Sequence, residues 1–354
     1  MIEPASPEIK KRYIELDILR GIAIFLMILQ HSWLIFSNQN VSGSLFSVLA
    51  VLTGTMPAAP IFLFLLGMNI VNSRKSGPKK LAVRGLKLIV LGYALSALRF
   101  FLPIILGHSL GVVNPALVAY GWTPLEYLLE VDIFQVAGLS LVAIAFFKRQ
   151  KVKYQYYPFF AVLIALISPL LWPISFSNPI LAYLSAPFFG TERYVLFPFF
   201  SWFFYPLAGF YFGNLLSRAG ERAEFYKKAF ANLVPIVILA LIYVISIPSF
   251  PFTDYFHHGL GTCVLFSALI IYLLGIIYLH QRRWPDRIKN KLIFWSRNVT
   301  AIYVIQWLLI GWLAVFGNFL LGYFYLVFLT VAIFLMVDFL TRKLQFYLKS
   351  RPPI

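Results

Sequence analysis

The sequence predicts an all-α, polytopic integral membrane protein of about ten transmembrane helices with both termini in the cytoplasm. Of the 354 residues, 60% are hydrophobic and only 12% are charged, whereas soluble domains carry roughly a quarter charged residues. Apolar runs close to the roughly 20 residues that a helix needs to cross the hydrocarbon core recur along the whole chain. The lipid bilayer is therefore the expected environment of this chain.

The first apolar run begins near Ile18 and is too long for the core of a cleavable signal peptide, so it is predicted to be the first span. Basic connections then alternate with loops rich in Gly, Pro, Asn and aromatic residues. The predicted spans cover residues 18–36, 58–72, 84–105, 125–147, 156–174, 194–215, 232–248, 260–279, 299–316 and 320–340. Because no linker or internal repeat divides the chain, residues 1–354 are predicted to form one domain, with cytoplasmic segments at 1–14 and 341–354.

The net charge of +17 is sorted by this topology. With the N-terminus inside, all 30 Lys and Arg residues except Arg99 and Arg193 lie on the inner side, as the positive-inside rule requires. This arrangement predicts cytoplasmic termini, and the protein is expected in the plasma membrane. It argues against nucleic-acid binding, which requires a basic patch on a soluble face. The acids predicted to lie on the outer side are Glu126, Glu130, Asp132, Glu192 and Asp254.

His31 lies eleven residues beyond Arg20 in the first span. At about 1.5 Å per residue the two are separated by roughly 16 Å along the helix axis, which places His31 past the middle of the membrane. A histidine at that depth is costly unless it is hydrogen-bonded or faces water, so it is a candidate functional residue. The alternative is a hydrogen-bonded histidine that serves packing only.

Arg84 and Lys87 lie three residues apart at the start of the third span, on one helical face. Together with Arg20 they are candidates for holding a polyanion at the cytoplasmic mouth, since arginine binds phosphate in a bidentate manner. Anchoring to lipid headgroups is the alternative for all three residues.

The fourth span is predicted to begin with EYLLEVDIFQ, which places Asp132 and Gln135 on one helical face in the outer half of the bilayer. An acid at that depth is a candidate partner for His31 as a general base, or a cation or proton site in a transporter. Arg99 and Gln135 are further candidates for binding the substrate. The orientation rule does not account for a cation such as Arg99 on the outer side.

The outer loop TDYFHHG contains Asp254 and His257, which are candidates for binding an acceptor. A metal site is an alternative there, although the loop lacks a distinctive ligand motif. A loop with no binding role is the default interpretation. The one cysteine, Cys263, lies in an apolar run and excludes an intramolecular disulfide. No metal is expected.

The run LDILRGIAIFLMILQH resembles the opening helix of the transmembrane acyltransferase superfamily, which includes the acyltransferase-3 and heparan-alpha-glucosaminide N-acetyltransferase-like proteins. The helix of that superfamily carries an arginine, ten further residues and a histidine, and Arg20 and His31 occupy the two ends of this pattern. RGLK at Arg84 looks like the basic pair of acyltransferase-3 proteins. The runs PIFLFLLGMNIV, VDIFQVAGLSLV, FYPLAGFYFGNLL and SRNVTAIYVIQWLLIGWL are similar to the heparan-glucosaminide branch. Gln306 stands where many relatives have histidine.

The resemblance implies that an acyl group, usually acetyl, passes from cytoplasmic acyl-CoA to a hydroxyl or amine of a carbohydrate or glycolipid acceptor on the outer side. It implies catalytic roles for His31 and Asp132, with His31 as general base or acyl carrier. Arg20, Arg84 and Lys87 would bind acyl-CoA. Homo-oligomerisation is compatible with this sequence.

The competing interpretation is a transporter or flippase in which His31 and Asp132 bind protons or substrate. Discontinuous spans and inverted repeats would favour it, and the sequence shows no clear repeat. A non-catalytic scaffold is a third interpretation, made weaker by membrane-embedded His and Asp residues that packing does not require.

Overall fold

The computed structural model describes residues 13–38, 41, 44, 58–73, 76–115, 117, 121–246, 255–317 and 320–350. In these ranges the chain is helical, and its only β-type pairings are two isolated bridges, Ser37 with Leu321 and Val131 with Val195. The α-helices are α1 (Ile14–Phe36), α2 (Ala58–Asn72), α3 (Pro78–Ser96), α4 (Leu102–Leu110), α5 (Pro124–Leu129), α6 (Ile133–Arg149), α7 (Tyr157–Leu171), α8 (Pro179–Phe189), α9 (Phe199–Trp202), α10 (Phe204–Arg218), α11 (Arg222–Ile245), α12 (Leu260–His280), α13 (Asp286–Arg297), α14 (Val299–Phe316) and α15 (Tyr323–Ser350).

Within the described ranges, seven helices are long and apolar enough to cross a membrane. They span Ile14–Phe36, Pro78–Leu110, Tyr154–Leu171, Arg222–Ile242, Leu260–Arg283, Val299–Phe316 and Tyr323–Ser350, and each overlaps one predicted span. The predicted span 58–72 coincides with α2, which has only 15 residues. The remaining two, 125–147 and 194–215, are each divided between shorter helices. The predicted number of ten is therefore not confirmed, and the orientation of the termini stays a prediction.

Two helix pairs form the tightly packed part of the core, α3 with α6 and α2 with α10. Glycines allow their backbones to touch: a Cβ on Gly85 of α3 would lie 2.5 Å from the carbonyl oxygen of Gly138 of α6. A Cβ on Gly209 of α10 would lie 1.9 Å from the carbonyl oxygen of Phe64 of α2. Small residues at such contacts are the usual way in which membrane helices approach closely.

A π-helical turn, Ala97–Phe101, joins α3 to α4 and interrupts the regular pattern of a helix 33 residues long. Such turns leave backbone groups without their usual α-helical partner. Here the carbonyl of Leu98 accepts a hydrogen bond from Nε1 of Trp312 on α14, at 3.0 Å. The π turn is thereby held against α14, and a Cβ on Gly311 would lie 2.1 Å from the carbonyl oxygen of Arg99.

Candidate active site

The centre of the candidate site is the fully buried side chain of Arg99, carried by the π turn. Its Nη1 lies 2.7 Å from Oδ2 of Asp132, and its Nη2 lies 2.8 Å from Oε2 of Glu130. Three buried charges thus form ion pairs with one another, and pairing is what a buried ion requires in a medium of low dielectric constant. With both carboxyl groups ionised, this cluster carries one net negative charge.

The two carboxylates reach Arg99 because the chain is extended, rather than helical, between α5 and α6. The amide of Val131 donates to the carbonyl of Tyr194 at 3.0 Å, and the amide of Leu196 donates to the carbonyl of Val131 at 3.0 Å. In extended backbone, residues two apart point to the same side, which accounts for the shared direction of Glu130 and Asp132. The prediction of one continuous helix over 125–147 is therefore wrong.

Asp132 is the N-cap of α6, and it forms a capping box with Gln135. Oδ1 of Asp132 accepts from the amide of Ile133 at 2.6 Å, and the amide of Asp132 donates to Oε1 of Gln135 at 3.2 Å. Nε2 of Gln135 donates to the carbonyl of Glu130 at 3.0 Å. Gln135 is therefore engaged in holding the extended segment, and it is almost fully buried.

The helix α14 connects this ion cluster to His31. Its Tyr303 hydroxyl donates to Oδ2 of Asp132 at 2.6 Å, while its Gln306 amide nitrogen donates to Nδ1 of His31. The ring centroid of Trp307 lies 4.3 Å from that of His31, and the Arg99 guanidinium lies 4.5 Å from the Trp307 ring centroid. One face of α14 thus contacts both the imidazole and the buried ions.

His31 lies one and a half turns before the end of α1, and its side chain is only partly buried. The direct partner of Nδ1 is Gln306, whereas the expected partner Asp132 is bonded to Arg99, Tyr303 and its own helix. The predicted direct pairing of His31 with Asp132 is therefore replaced by an indirect connection through α14.

Arg20 lies away from this site, where α1 meets α13. Its Nη1 donates to Oγ of Ser296 at 2.9 Å, and it lies 3.6 Å from Oδ1 of Asp17. Arg84 and Lys87 are exposed on α3. Arg20 thus contacts α13. Among the described residues, no hydrogen bond or ion pair joins Arg20 to Arg84 or Lys87.

His257 lies in the segment before α12, where its Nε2 is 3.1 Å from the carbonyl oxygen of Gly190 and its ring packs against Trp172. Asp254 lies outside the described residues. No group of three or more His, Cys, Asp or Glu residues in the described ranges is close enough to hold a metal ion.

Arg193 and Glu126 form another ion pair on the predicted outer side. Nε of Arg193 lies 2.6 Å from Oε1 of Glu126, and its Nη2 donates to the carbonyl of Gly121 at 2.8 Å. Hydrogen bonds from Arg193 hold the pKa of Glu126 down to about 2. This pair connects α5 to the segment that runs beside Val131.

Four residues of the site were not among the predicted site residues: Glu130, Tyr303, Gln306 and Trp307. A signal was present in the spacing of the last three, because residues three and four apart share a helix face. The motif VDIFQ also contains the Asp-x-x-Gln spacing of a capping box, which marks a helix start within the predicted fourth span.

A comparison with protein families matches residues 12–248 to the family described as heparan-alpha-glucosaminide N-acetyltransferase, catalytic. The match covers roughly two thirds of the chain. The chain belongs to this family. It is therefore a membrane protein of an acetyltransferase family, as the resemblance in its first span predicted. No curated protein matches the chain.

The matched range holds His31, Arg99, Glu130 and Asp132, whereas α14 lies beyond it. The heparan-alpha-glucosaminide N-acetyltransferase family match thus covers the imidazole and the ion cluster. The helix that contacts both comes from the unmatched third of the chain.

Proposed function

We propose that this protein transfers an acetyl group from cytoplasmic acetyl-CoA to an amine or hydroxyl of a carbohydrate-like acceptor on the outer side of the plasma membrane. The observation that carries the proposal is His31, a partly accessible imidazole held on two sides by Gln306 and Trp307 next to a buried ion cluster. Family membership supplies the reaction class.

In the direct form of the reaction, His31 accepts the proton of the attacking amine or hydroxyl. A new bond forms between the acceptor atom and the acetyl carbon, the carbon–sulfur bond of the thioester breaks, and the proton passes from His31 to the departing thiolate. In the alternative form, a nitrogen of His31 attacks the thioester carbon, the carbon–sulfur bond breaks, and the CoA thiolate takes up the proton that the ring gives up. The acceptor then takes the acetyl group from His31 and returns its own proton to the ring. Both forms require a neutral imidazole with one free nitrogen lone pair.

The ion cluster supports this chemistry by position and charge. Asp132 and Tyr303 fix α14 relative to α6, and α14 in turn places the two groups that contact His31. With both carboxyl groups ionised, the net negative charge of the cluster offsets part of the cost of forming the imidazolium at this partly buried place when His31 takes a proton. We therefore assign Asp132 to positioning and electrostatic support rather than to direct contact with substrate.

Arg99 and Gln135 were expected to bind the acceptor. Both side chains are buried, and their polar groups contact the segment from Glu130 to Asp132. Their role in the proposal is to shape the site. Asp254 and His257 stay the candidates for contact with the acceptor.

Arg20, Arg84 and Lys87 stay the candidates for the phosphates of acetyl-CoA. The exposed position of Arg84 and Lys87 leaves their charged groups available. Arg20 contributes from the junction of α1 and α13, where its guanidinium is held by Ser296 and Asp17.

A transporter is the second candidate function, and one observation favours it. The extended segment between α5 and α6 places charged residues within an interrupted span, an arrangement found in secondary transporters. The family match favours acetyl transfer. A transporter of this kind would move its substrate without consuming acetyl-CoA.

The test uses purified full-length protein in proteoliposomes, radiolabelled acetyl-CoA and glucosamine as the acceptor. We predict acetylated glucosamine with the wild type. His31→Gln should lower turnover by about 10²–10⁴-fold, the usual contribution of general acid–base catalysis, while acetyl-CoA binding is kept. His108→Gln is the matched control, because His108 is an exposed histidine at the end of α4. Near-normal turnover in His31→Gln would exclude a catalytic role for this residue.

A further inference from the structure

Within the described part of the chain, only one end of the side-chain amide of Gln306 forms a hydrogen bond. Its nitrogen donates to Nδ1 of His31. Its oxygen, Oε1, is buried and has no hydrogen-bond partner among the described residues. A buried carbonyl oxygen without a partner costs about 1–3 kcal/mol, so an arrangement that leaves one in place next to His31 calls for an explanation.

The orientation of this amide determines which nitrogen of His31 carries the proton. A neutral imidazole has one N–H group and one lone pair. When Nδ1 accepts from Gln306, the ring proton is on Nε2, and that nitrogen cannot take another. A half turn of the amide presents Oε1 to an Nδ1–H group, and the lone pair of Nε2 is then free to accept a proton or attack a thioester.

We propose that Gln306 is a positioning residue that sets the tautomer of His31, and that its amide turns to present Oε1 to Nδ1–H in the reactive state. This inference rests on the proposed acetyl transfer. No atom is gained or lost in the turn, since the ring proton moves from Nε2 to Nδ1 through exchange with the acceptor or water. The buried Oε1 is the group that the reactive state uses.

The neighbours of His31 leave this role to Gln306. Asp132 already accepts from Arg99, Tyr303 and the amide of Ile133. Trp307 contacts the imidazole through its ring and restrains the ring orientation. An amide can donate or accept at the same position, and it adds no charge to a cluster that already contains two carboxylates.

The first readout is the tautomer itself. In protein labelled with ¹⁵N-histidine, solid-state NMR distinguishes Nδ1–H from Nε2–H, and the spectrum of His31→Gln identifies the His31 signals among the five histidines. We expect Nε2–H in the resting wild type. Gln306→Glu should convert His31 to a form with a proton on Nδ1, because a carboxylate only accepts there. An unchanged His31 spectrum in Gln306→Glu would overturn the inference, whether or not acetyl transfer is detected.

The second readout is kinetic. Gln306→Met, which keeps the length of the side chain and removes both ends of the amide, should lower kcat by about 10²-fold with the KM for acetyl-CoA within about twofold. Gln306→Glu should keep kcat within about tenfold of the wild type. Asn298→Leu is the matched control, since it removes an amide at the start of the same helix whose bond is to Phe294.

A double variant separates positioning from a purely structural role. If Gln306 acts through His31, then His31→Gln combined with Gln306→Met should turn over at the rate of His31→Gln alone. A further large loss in the double variant would contradict the inference, as would normal kcat in Gln306→Met. Absence of transfer in the wild type would refute the proposed function alone, because the tautomer readout still decides the role of Gln306.

Discussion

Arg99 holds two carboxylates at a place in the protein that water does not reach. Buried ion pairs add little net stability compared with well-packed apolar residues, but removal of one partner leaves an uncompensated charge. The arrangement therefore indicates a requirement for defined geometry rather than for stability alone. That geometry fixes where α14 presents its residues to His31.

Arg99→Met should destabilise the protein by about 3–5 kcal/mol, because Glu130 and Asp132 then lose their common cation. Thermal unfolding in detergent measures this loss. Arg193→Met, which removes an arginine with a side chain 52% exposed, should change stability by less than about 1 kcal/mol.

The combination of Arg99→Met with Glu130→Gln and Asp132→Asn should recover part of the lost stability, since no charge is then left unpaired. If the triple variant were as unstable as Arg99→Met alone, the cost would come from the shape of the arginine rather than from its charge.

For single residues, the sequence predicted which polar side chains are unusual for their depth in the membrane, but it did not predict which of them contact each other. His31, Arg99 and Asp132 were identified because depth and charge sign made each costly or unexplained. The pairing of Asp132 with Arg99, and of His31 with Gln306, depends on the meeting of α1, the π turn, α6 and α14. Those contacts are set by tertiary packing that a single sequence does not display.

The extended segment between α5 and α6 is the element on which the site depends. A hydropathy average over the whole predicted span hid it, because the apolar residues of the flanking helices outweigh Glu130 and Asp132. The backbone of Val131 is satisfied by the segment around Tyr194 and Leu196, as irregular backbone at membrane depth requires. No sequence feature predicted the π turn.

Helix pairs that touch through glycine should be sensitive to a single methyl group. Gly209→Ala would place Cβ within van der Waals overlap of the Phe64 carbonyl oxygen, and overpacking of this kind costs about 1–3 kcal/mol. A drop in the midpoint of thermal unfolding would show it. Gly77→Ala, where no atom lies within 4 Å of the new Cβ, should leave the midpoint nearly unchanged.

The ion pair between Arg193 and Glu126 should make the stability of the protein depend on pH in the acid range. The pKa of Glu126 is about 2 in the folded protein against an ordinary value of 4.5. A carboxyl group with a lowered folded pKa contributes stability that is present above pH 4.5 and is lost as the pH falls towards 2.

Wild type should therefore lose more thermal stability between pH 4.5 and pH 2 than Arg193→Gln, in which the lowered pKa has lost its main cause. Unfolding midpoints measured across this range for both proteins provide the comparison. Parallel curves for the two proteins would mean that the pair does not connect the two segments in solution.

For the whole molecule, composition predicted the class and the charge pattern predicted an orientation. The seven long apolar helices confirm a polytopic helical membrane protein. Helix length separates these seven from the other three predicted spans, since α2 and the divided segments at 125–147 and 194–215 are apolar yet contain no long uninterrupted helix in the described residues. The apolar helix α8 lies where an outer loop was predicted.

The orientation is testable with single cysteines, because the native Cys263 is buried. We predict that Ser177→Cys reacts with a membrane-impermeant thiol reagent in intact cells, and that Gln150→Cys reacts only after the membrane is opened. Both positions are exposed, and Gln150 lies among four cations that the positive-inside rule places in the cytoplasm. Labelling in the opposite sense would reverse the proposed direction of acetyl transfer.

The π turn at Ala97–Phe101 contains one residue more than an α-helical turn. Because each residue rotates an α-helix by about 100°, α4 presents a different face from the one that it would present in an uninterrupted helix. A relative that lacks one residue here would keep Gly85 against its sixth helix but would turn Ile104 and Gly107 away from α14. In an alignment, a one-residue gap within Ala97–Phe101 would therefore mark a homologue in which the residue corresponding to Arg99 points in another direction.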